Sequence, residues 1–393
     1  MAYFMQIRAR NINKDLNALD QWRAVALLCV LVSHGFYFTD FVHGAGRIGV
    51  NLFFFISGIL VHKSLSSLFS ERSFTLYSTF LFRRFKRLFP ALLFYIFSMG
   101  ILTCWIQGRP GLPPGTDIRT YFRTAPFALL FLTNYWGGPQ SLIHIWSVSC
   151  EMQFYTIAPL FFLICRGFSW RAVLVFYVLV FMFLFLGPAL VYVYRNQGPI
   201  FDSRYHFTIA AWPMMTGFIA HFVKQRFLMP SLFAKILFWV FLPLSLGSFV
   251  VMFFGLESKA ITIAIGTFFI IPCYISFAKD WFLKGKLGFC LVWLGRRTYS
   301  IYLWQEPLTI CNILPAVAQP LGSVFSIFLG ALSYALFERP FLTTSRRKQA
   351  LWGFIIHGQS YWVLYFLLLF CYSVFIFCLR HYISATLCKW FGH

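Results

Sequence analysis

Charged side chains are scarce in this sequence: only 11% of its 393 residues are Asp, Glu, Lys or Arg, and only 11 are acidic. Soluble chains carry about a quarter of their residues as charged side chains, so a water-soluble domain is excluded. Polar linkers and internal repeats are also missing. The chain is instead rich in apolar residues: 60% of its residues are hydrophobic and 21% are aromatic.

The apolar residues form repeated blocks of about 20, the length that a helix needs to cross about 30 Å of hydrocarbon. Residues 173–190, for example, are apolar on every face, whereas a membrane-spanning strand would alternate apolar and polar residues. We therefore predict an all-α, polytopic transmembrane helical bundle. Its predicted spans are 22–42, 48–66, 88–106, 144–165, 172–194, 206–223, 236–255, 260–278, 298–317, 320–338 and 360–380.

The first ten spans are predicted to form one unit over residues 1–345. The eleventh contains no acidic residue and few polar ones, so we expect residues 346–393 to be an added C-terminal transmembrane helix and tail. A short apolar piece, 126–133, is too brief to cross and is expected to lie at the interface or to re-enter the membrane.

The basic residues are unevenly divided between the two predicted faces. With a cytoplasmic amino terminus, 23 of the 33 Lys and Arg residues lie on the cytoplasmic face and nine on the other, while Arg23 lies inside the first span. This positive-inside bias predicts the orientation. It also accounts for the net charge of +22, which describes the loops. We expect membrane lipids as partners and no nucleic acid. The first span lacks a cleavage site, so no signal peptide is predicted.

The ten cysteines are scattered through apolar segments, with no CxxC motif and no histidine at ligand spacing. We interpret them as small core residues and predict no metal site.

Ionisable residues at membrane depth cost several kcal/mol and are therefore candidates for function. Arg23 and His34 are eleven residues apart, so on a helix they share a face to within about 20° and lie about 16 Å apart along the axis. Asp20 is three residues before Arg23, near enough to pair with it. The alternative is an arginine that snorkels at a helix end and a buried histidine with satisfied hydrogen bonds. The remaining such residues are Glu151, Glu306 and Glu338.

Polar residues also occur where hydrophobicity alone would not place them. The second span carries Asn51, Ser57 and Gly58, and the last two are small enough for close helix contact. The fourth begins with Trp146, Ser147, Glu151 and Tyr155, and Ser147 and Glu151 share a face. Arg83, Arg84, Lys86 and Arg87 precede the third span. This cluster is equally compatible with membrane topology and with phosphate recognition.

Six motifs follow one another along the chain: LDQWRAVALLCVLVSH (19–34), GVNLFFFISG (49–58), RRFKRLFP (83–90), IWSVSCEMQFYTIAP (145–159), LGRRTYSIYLWQEP (294–307) and FERPF (337–341). Together, and in this order, they resemble the acyltransferase 3 family, integral membrane proteins that O-acylate cell-surface glycans such as O-antigen and exopolysaccharide. The family's usual ten-span unit agrees with the span count. One position departs from the pattern: the family's YLxHxP histidine is Gln305 here, followed by Glu306, which could substitute for it.

The resemblance implies transfer of an acyl group, most often acetyl, from cytoplasmic acyl-CoA to a hydroxyl of a surface polysaccharide or lipid-linked glycan. The co-substrate would be acetyl-CoA or another acyl-CoA, with no permanently bound cofactor, and the location a bacterial inner membrane. His34 would be the general base that activates the hydroxyl, or would carry the acyl group in a covalent relay.

The other candidate residues follow from the same resemblance. Arg23, held by Asp20, would face the donor's negative charge or the thioester oxyanion. Arg83, Arg84 and Arg87 would bind the phosphates of CoA. His144 is the only nearby base for a Ser147 nucleophile, and Glu338 before Arg339 suggests a structural ion pair. Residues expected to shape or polarise the site are Asn51, Ser57, Trp146, Ser147, Glu151, Tyr302, Glu306 and Glu338.

Three other classes of protein remain open at this point. A secondary transporter or a flippase for lipid-linked glycans would share the many spans and the buried charges, but it would be expected to show two-fold symmetry of its helices. Other membrane O-acyltransferases use a histidine but lack the spacing of Arg23 and His34. A scaffold subunit would not need these two residues on one face.

Overall fold

The structure is a computed structural model, and it describes residues 2–36, 43–106, 118–195, 207–226, 285–309 and 319–342, together with Pro243 and Gly247. The predicted spans at 236–255 and 260–278, apart from the two single residues, and the predicted span at 360–380 lie outside them.

Every element in the described ranges is helical, and no β-strand occurs there. This confirms the prediction of an all-α fold. The helices are α1 (Ala2–Gly35), α2 (His43–Ser67), α3 (Ser73–Ile106), α4 (Ile118–Leu129), α5 (Thr133–Trp136), α6 (Gln140–Ile143), α7 (Trp146–Ile164), α8 (Trp170–Arg195), α9 (Phe207–Arg226), α10 (Gly285–Arg296), α11 (Thr298–Thr309), α12 (Gln319–Ser333), a π-helical turn (Tyr334–Glu338) and α13 (Arg339–Leu342).

Four described segments are long and apolar enough to cross a membrane: Ala45–Ser67, Ser73–Trp105, Gln140–Ile164 and Pro320–Leu342. Trp170–Phe183 is a shorter apolar helical stretch. These segments match predicted spans and support an integral membrane protein. Many large apolar side chains, Phe97 and Phe289 among them, are exposed on the outside of the bundle, as expected where lipid replaces water.

Two boundaries differ from the sequence prediction in a way that affects the site. Helix α3 begins at Ser73 rather than near residue 88, so the basic cluster of residues 83–87 lies within a helix and not in a loop before it. Pro90 is tolerated inside the same helix. The short apolar piece at 126–133 includes the end of α4, which has only 12 residues and is too short to cross a membrane.

Helix α2 is central to the bundle because it packs most extensively against α9 on one side and α1 on another. At the α2–α9 contact the two backbones touch through glycines. A Cβ on Gly58 would stand 1.8 Å from the Met214 carbonyl oxygen, and a Cβ on Gly217 would stand 2.0 Å from the Phe55 carbonyl oxygen. Small residues of this kind allow helices to associate where lipid provides no hydrophobic driving force. The same contact places Ser57 and its neighbours at a fixed height in the bundle.

The Gly58→Ala variant is expected to separate α2 from α9, because its methyl group would overlap backbone atoms that cannot rotate away. The expected loss of stability is about 1–3 kcal/mol, the usual cost of overpacking. Thermal unfolding in detergent measures it. Gly138→Ala is the matched control, since its Cβ would be 3.6 Å from the nearest atoms. Equal melting temperatures for the two variants would contradict the close α2–α9 contact.

Candidate functional site

A cavity of about 70 Å³ lies between α1, α2, α3, α7 and α11. A cavity of this size can hold a few water molecules. The residues that line it combine three arginines and a glutamate with hydroxyl groups and aromatic rings: Arg23, Val50, Phe53, Phe54, Ser57, Arg84, Arg87, Leu88, Ser147, Val148, Glu151, Tyr155, Thr298, Tyr299 and Tyr302. Four of the six sequence motifs contribute at least two residues each, so the structure brings distant parts of the chain to one place.

The cavity wall contains three guanidinium groups, from Arg23 on α1 and from Arg84 and Arg87 on α3. Arg84 and Arg87 are three residues apart and share a helix face. Arg84 donates a hydrogen bond to the Leu60 carbonyl oxygen at 3.0 Å and lies over the Tyr155 ring at 5.1 Å. With one glutamate on the same wall, the cavity has an excess of positive charge.

Arg83, the third arginine of the predicted donor site, points elsewhere. Its side chain is exposed and is not part of the cavity wall. Since Arg83 and Arg84 are adjacent on a helix, they are separated by about 100° around its axis. The structure therefore divides the basic cluster of α3 into an inner pair, Arg84 and Arg87, and outer residues at the surface.

Asp20 holds Arg23 at the end of the cavity. Its Oδ1 atom lies 3.4 Å from Arg23 Nη1, and its Oδ2 atom lies 3.3 Å from Nε of Arg296 on α10. Arg296 also donates to the side chain of Asn17 at 2.9 Å. The predicted i, i+3 pair of Asp20 and Arg23 is thus present and is extended to a neighbouring helix.

Glu151 is the one acidic residue of the cavity wall, and it links two helices. Its Oε1 atom accepts hydrogen bonds from Ser57 on α2 and from the hydroxyl of Tyr155 on α7. A carboxylate with two hydroxyl donors is well solvated in an otherwise apolar bundle. Ser57, predicted as a site-shaping residue, therefore orients Glu151.

Glu338 lies in the π-helical turn and is fully buried. Its Oε2 atom accepts a hydrogen bond from Ser300 at 2.8 Å, while Oε1 lies 3.8 Å from Nε of Arg87. The sequence predicts a structural ion pair for Glu338, which precedes Arg339. The structure shows an ion pair between Glu338 and Arg87 on another helix, which connects the last motif of the chain to the cavity arginines. π-Helical turns often mark functional positions.

Ser147 is not activated by the nearby histidine. Its Oγ atom lies 2.8 Å from the hydroxyl of Tyr302, and both hydroxyl groups are within 3.2 Å of the His144 carbonyl oxygen. The His144 ring points away, with Nδ1 3.0 Å from Glu306 Oε2 and Nε2 3.1 Å from the Leu303 carbonyl oxygen. A Ser147–His144 nucleophile pair is therefore not formed.

Pro307 explains why the Leu303 carbonyl is available to His144. A proline inside a helix has no N–H to donate to the carbonyl four residues earlier, and for Pro307 that residue is Leu303. His144 supplies the missing donor from another part of the chain. The glutamate that the sequence offered as a replacement for the family histidine, Glu306, is in contact with His144 in this arrangement.

His34 lies on α1 but outside the cavity wall, about 16 Å along the helix from Arg23. It is half-buried, and its Nδ1 atom is hydrogen-bonded to Oε1 of Gln305 on α11. The His34 Nε2 atom is 3.9 Å from the position that a Cβ on Gly46 would occupy, so it faces the first turns of α2. The two residues of the first motif thus lie at two levels of one helix.

Two further predicted residues lie beside the site. Trp146 begins α7 and packs edge-on against Phe54 of the cavity wall, with ring centroids 5.9 Å apart. Asn51 is half-buried on α2 and does not line the cavity. Sequence reasoning missed Tyr299 and Thr298, which line the cavity beside Tyr302. The available signal was their place in the motif LGRRTYSIYLWQEP (294–307), which also contains Tyr302.

A second, larger cavity of about 370 Å³ lies at the ends of α2, α7, α8 and α9. Its lining includes His62, Arg166 and Arg226. The His62 ring lies 5.4 Å from the ring of His221, which is not part of the lining. No residue of the six motifs lines this cavity, although α2 and α7 each carry a motif elsewhere along their length. Within the described ranges, no group of three or more His, Cys, Asp or Glu residues is arranged to hold a metal ion.

Comparison with known proteins agrees with the motifs. A family model for an acyltransferase domain, that of the acyltransferase 3 proteins, matches residues 16–337. The chain therefore belongs to the acyltransferase 3 family, and the resemblance carried by the six motifs is confirmed.

Individual relatives are distant and longer than this chain. A protein of Staphylococcus aureus (strain COL) named "Putative O-acetyltransferase" is 24% identical over 356 residues, which cover 82% of this chain and 56% of that protein. The peptidoglycan O-acetyltransferase OatA of Listeria monocytogenes is 23% identical over 381 residues, covering 86% of this chain and 57% of that protein. The chain thus spans a little over half the length of these relatives. No solved structure matches it.

The Arg87–Glu338 pair makes a prediction about stability. Arg87→Met would leave the carboxylate of Glu338 buried without its cation, at an expected cost of about 3–5 kcal/mol. The double variant Arg87→Met, Glu338→Gln removes both charges and should recover about half of that loss or more. Thermal unfolding of the single and double variants in detergent measures the difference. If the double variant is less stable than Arg87→Met, the two charges are not coupled as the structure has them.

Proposed function

We propose that this protein is a membrane O-acyltransferase that moves an acyl group, most simply acetyl, from acyl-CoA to a hydroxyl of a cell-surface polysaccharide or a lipid-linked glycan. The observation that carries the proposal is the two-level arrangement of α1: Arg23 lies in a cavity with two other guanidinium groups, and His34 lies about 16 Å further along the same helix. Membership of the acyltransferase 3 family supports it.

The arginine cavity is suited to the phosphates of the donor. Guanidinium groups match phosphate oxygens in pairs and stay charged under all physiological conditions. In CoA the pantetheine arm separates the phosphates from the thioester, so phosphates held by Arg23, Arg84 and Arg87 would place the thioester well away from them and toward His34. On this proposal Arg23 binds donor charge, because it lies too far from His34 to stabilise an oxyanion formed there.

His34 is proposed to be the general base. A lone pair on its Nε2 atom accepts the proton of the sugar hydroxyl, and the oxygen attacks the thioester carbonyl carbon. The tetrahedral intermediate collapses with cleavage of the carbon–sulfur bond, and the CoA thiolate leaves and takes up a proton. The product is an ester of the glycan. An acyl-His34 intermediate would split the same net reaction into two steps.

The acceptor class and the orientation belong to the same proposal. A relative is named as a peptidoglycan O-acetyltransferase, which supports a surface glycan as acceptor here. The bias of basic residues supports a cytoplasmic amino terminus in a bacterial inner membrane, with Arg23 toward the cytoplasm and His34 toward the outer face. The donor would then enter from one side and the acceptor from the other.

The role of His34 can be tested with purified protein, acetyl-CoA and a soluble glycan acceptor. The His34→Ala variant is expected to lose at least about 100-fold in kcat, the usual contribution of a general base. Its affinity for CoA should stay at the wild-type value, since His34 does not line the arginine cavity. A modest fall in melting temperature is expected, because the buried Gln305 amide loses its hydrogen bond to His34. Release of free CoA at the wild-type rate from the variant would overturn the assignment. Glycan flux without CoA release from the wild type would indicate a transporter.

The donor site can be tested with two adjacent arginines. Arg84→Gln should weaken CoA binding by about 10-fold or more, because a charge-assisted hydrogen bond contributes about 1.5–3 kcal/mol. Arg83→Gln is the matched control, because Arg83 is exposed on the neighbouring face of the same helix. Calorimetric titration of CoA measures both. Equal effects of the two substitutions would assign the cluster to membrane topology alone.

A further inference from the structure

Gln305, which stands where the family pattern has a histidine, is hydrogen-bonded to His34. Gln305 lies on α11, 271 residues from His34 along the chain, and its side chain is completely buried. Its Oε1 atom faces His34 Nδ1 within hydrogen-bond distance. An amide oxygen can only accept a hydrogen bond, so the proton of this bond belongs to His34 Nδ1.

This bond decides which nitrogen of His34 carries the lone pair. In a neutral imidazole one nitrogen carries hydrogen and the other the lone pair, and a partner at one nitrogen selects the tautomer. With hydrogen on Nδ1, the lone pair is on Nε2. That atom lies beside the first turns of α2, 3.9 Å from the position that a Cβ on Gly46 would occupy. Gln305 thus fixes both the orientation of the ring and the atom that can accept a proton.

Gln305 is itself held in place by its surroundings. Its neighbours Leu303 and Pro307 are buried, and Glu306 is engaged with His144. The α11 helix packs against α12 and α1, so the position of the Gln305 side chain follows from the helix contacts. A glutamine also has no proton to gain or lose in the accessible pH range, unlike the histidine that the family pattern has at this position.

We propose that Gln305 is a positioning residue for acyl transfer, which holds His34 in the Nδ1-protonated tautomer with Nε2 directed to the acceptor hydroxyl. The inference rests on the role of His34 proposed above. It assigns to the Gln305 amide the part that a carboxylate or a backbone carbonyl has beside many functional histidines. In this chain the contact to His34 is made by Gln305, while Glu306 contacts His144.

The proposal is tested with three substitutions at one position in the full-length protein, purified in detergent or nanodiscs. Gln305→Leu keeps the size of the side chain but removes the acceptor, and it should lower kcat by about 10- to 100-fold, the usual effect of removing an orienting partner. The KM for acetyl-CoA should stay within about two-fold, because Gln305 does not line the arginine cavity. Gln305→Glu retains the acceptor oxygen and should keep kcat within a few-fold of the wild type. Gln305→His restores the family residue and should be more active than Gln305→Leu.

A spectroscopic measurement reads the tautomer without reference to activity. In protein labelled with ¹⁵N-histidine, the His34 signals are assigned by their loss in His34→Ala. The wild type should show hydrogen on Nδ1, and Gln305→Leu should shift the population toward hydrogen on Nε2, the tautomer that an isolated histidine side chain prefers. Glu306→Gln is the matched control, because this neighbour contacts His144 and should leave the His34 tautomer unchanged.

The outcomes separate this inference from the proposed function. A wild-type His34 with hydrogen on Nε2, or a Gln305→Leu variant that keeps both tautomer and kcat, overturns the positioning role. If Gln305→Leu does not fold, Gln305→Asn serves instead, since it stays polar but is too short to make the bond. If the tautomer behaves as expected but the wild type releases no CoA from acetyl-CoA, the proposed function fails while the positioning of His34 stands.

Discussion

The high cost of an unpaired charge inside a membrane is the constraint on which the site depends. A chain with 33 basic and 11 acidic residues has few carboxylates to distribute. Asp20 and Glu338 are used as partners of Arg23 and Arg87, and each pair joins different helices directly or through Arg296. The cavity charges therefore connect side chains of different helices. Because such pairs contribute little net stability, their retention fits a functional need for the arginines.

Sequence spacing predicts what lies on one helix. The shared face of Arg23 and His34, the pair of Asp20 and Arg23, and the common face of Ser147 and Glu151 all follow from 100° per residue. The exposed position of Arg83 beside the inward Arg84 could have been predicted in the same way, had the basic cluster been taken as part of a helix. The sequence prediction places the cluster in a loop, where the periodicity of a helix does not separate Arg83 from Arg84.

Contacts between helices could not be predicted from the sequence. Nothing local indicates that Glu151 meets Ser57, that Glu338 meets Arg87, or that Gln305 meets His34, because each depends on how helices pack. Pro307 is an instructive intermediate case. Its missing N–H predicts that the Leu303 carbonyl needs a new donor, but only the packing of the bundle shows that the donor is His144.

The continuity of α1 restricts the kind of donor that the proposed reaction can use. Since Arg23 and His34 lie on one uninterrupted helix, the distance between them cannot be shortened without breaking backbone hydrogen bonds. A donor whose phosphate is bonded directly to the acyl group could not reach both levels at once. A donor with a long arm between its phosphates and its acyl carbon can do so. The fixed separation of Arg23 and His34 on α1 is therefore the physical reason for proposing a donor of this kind.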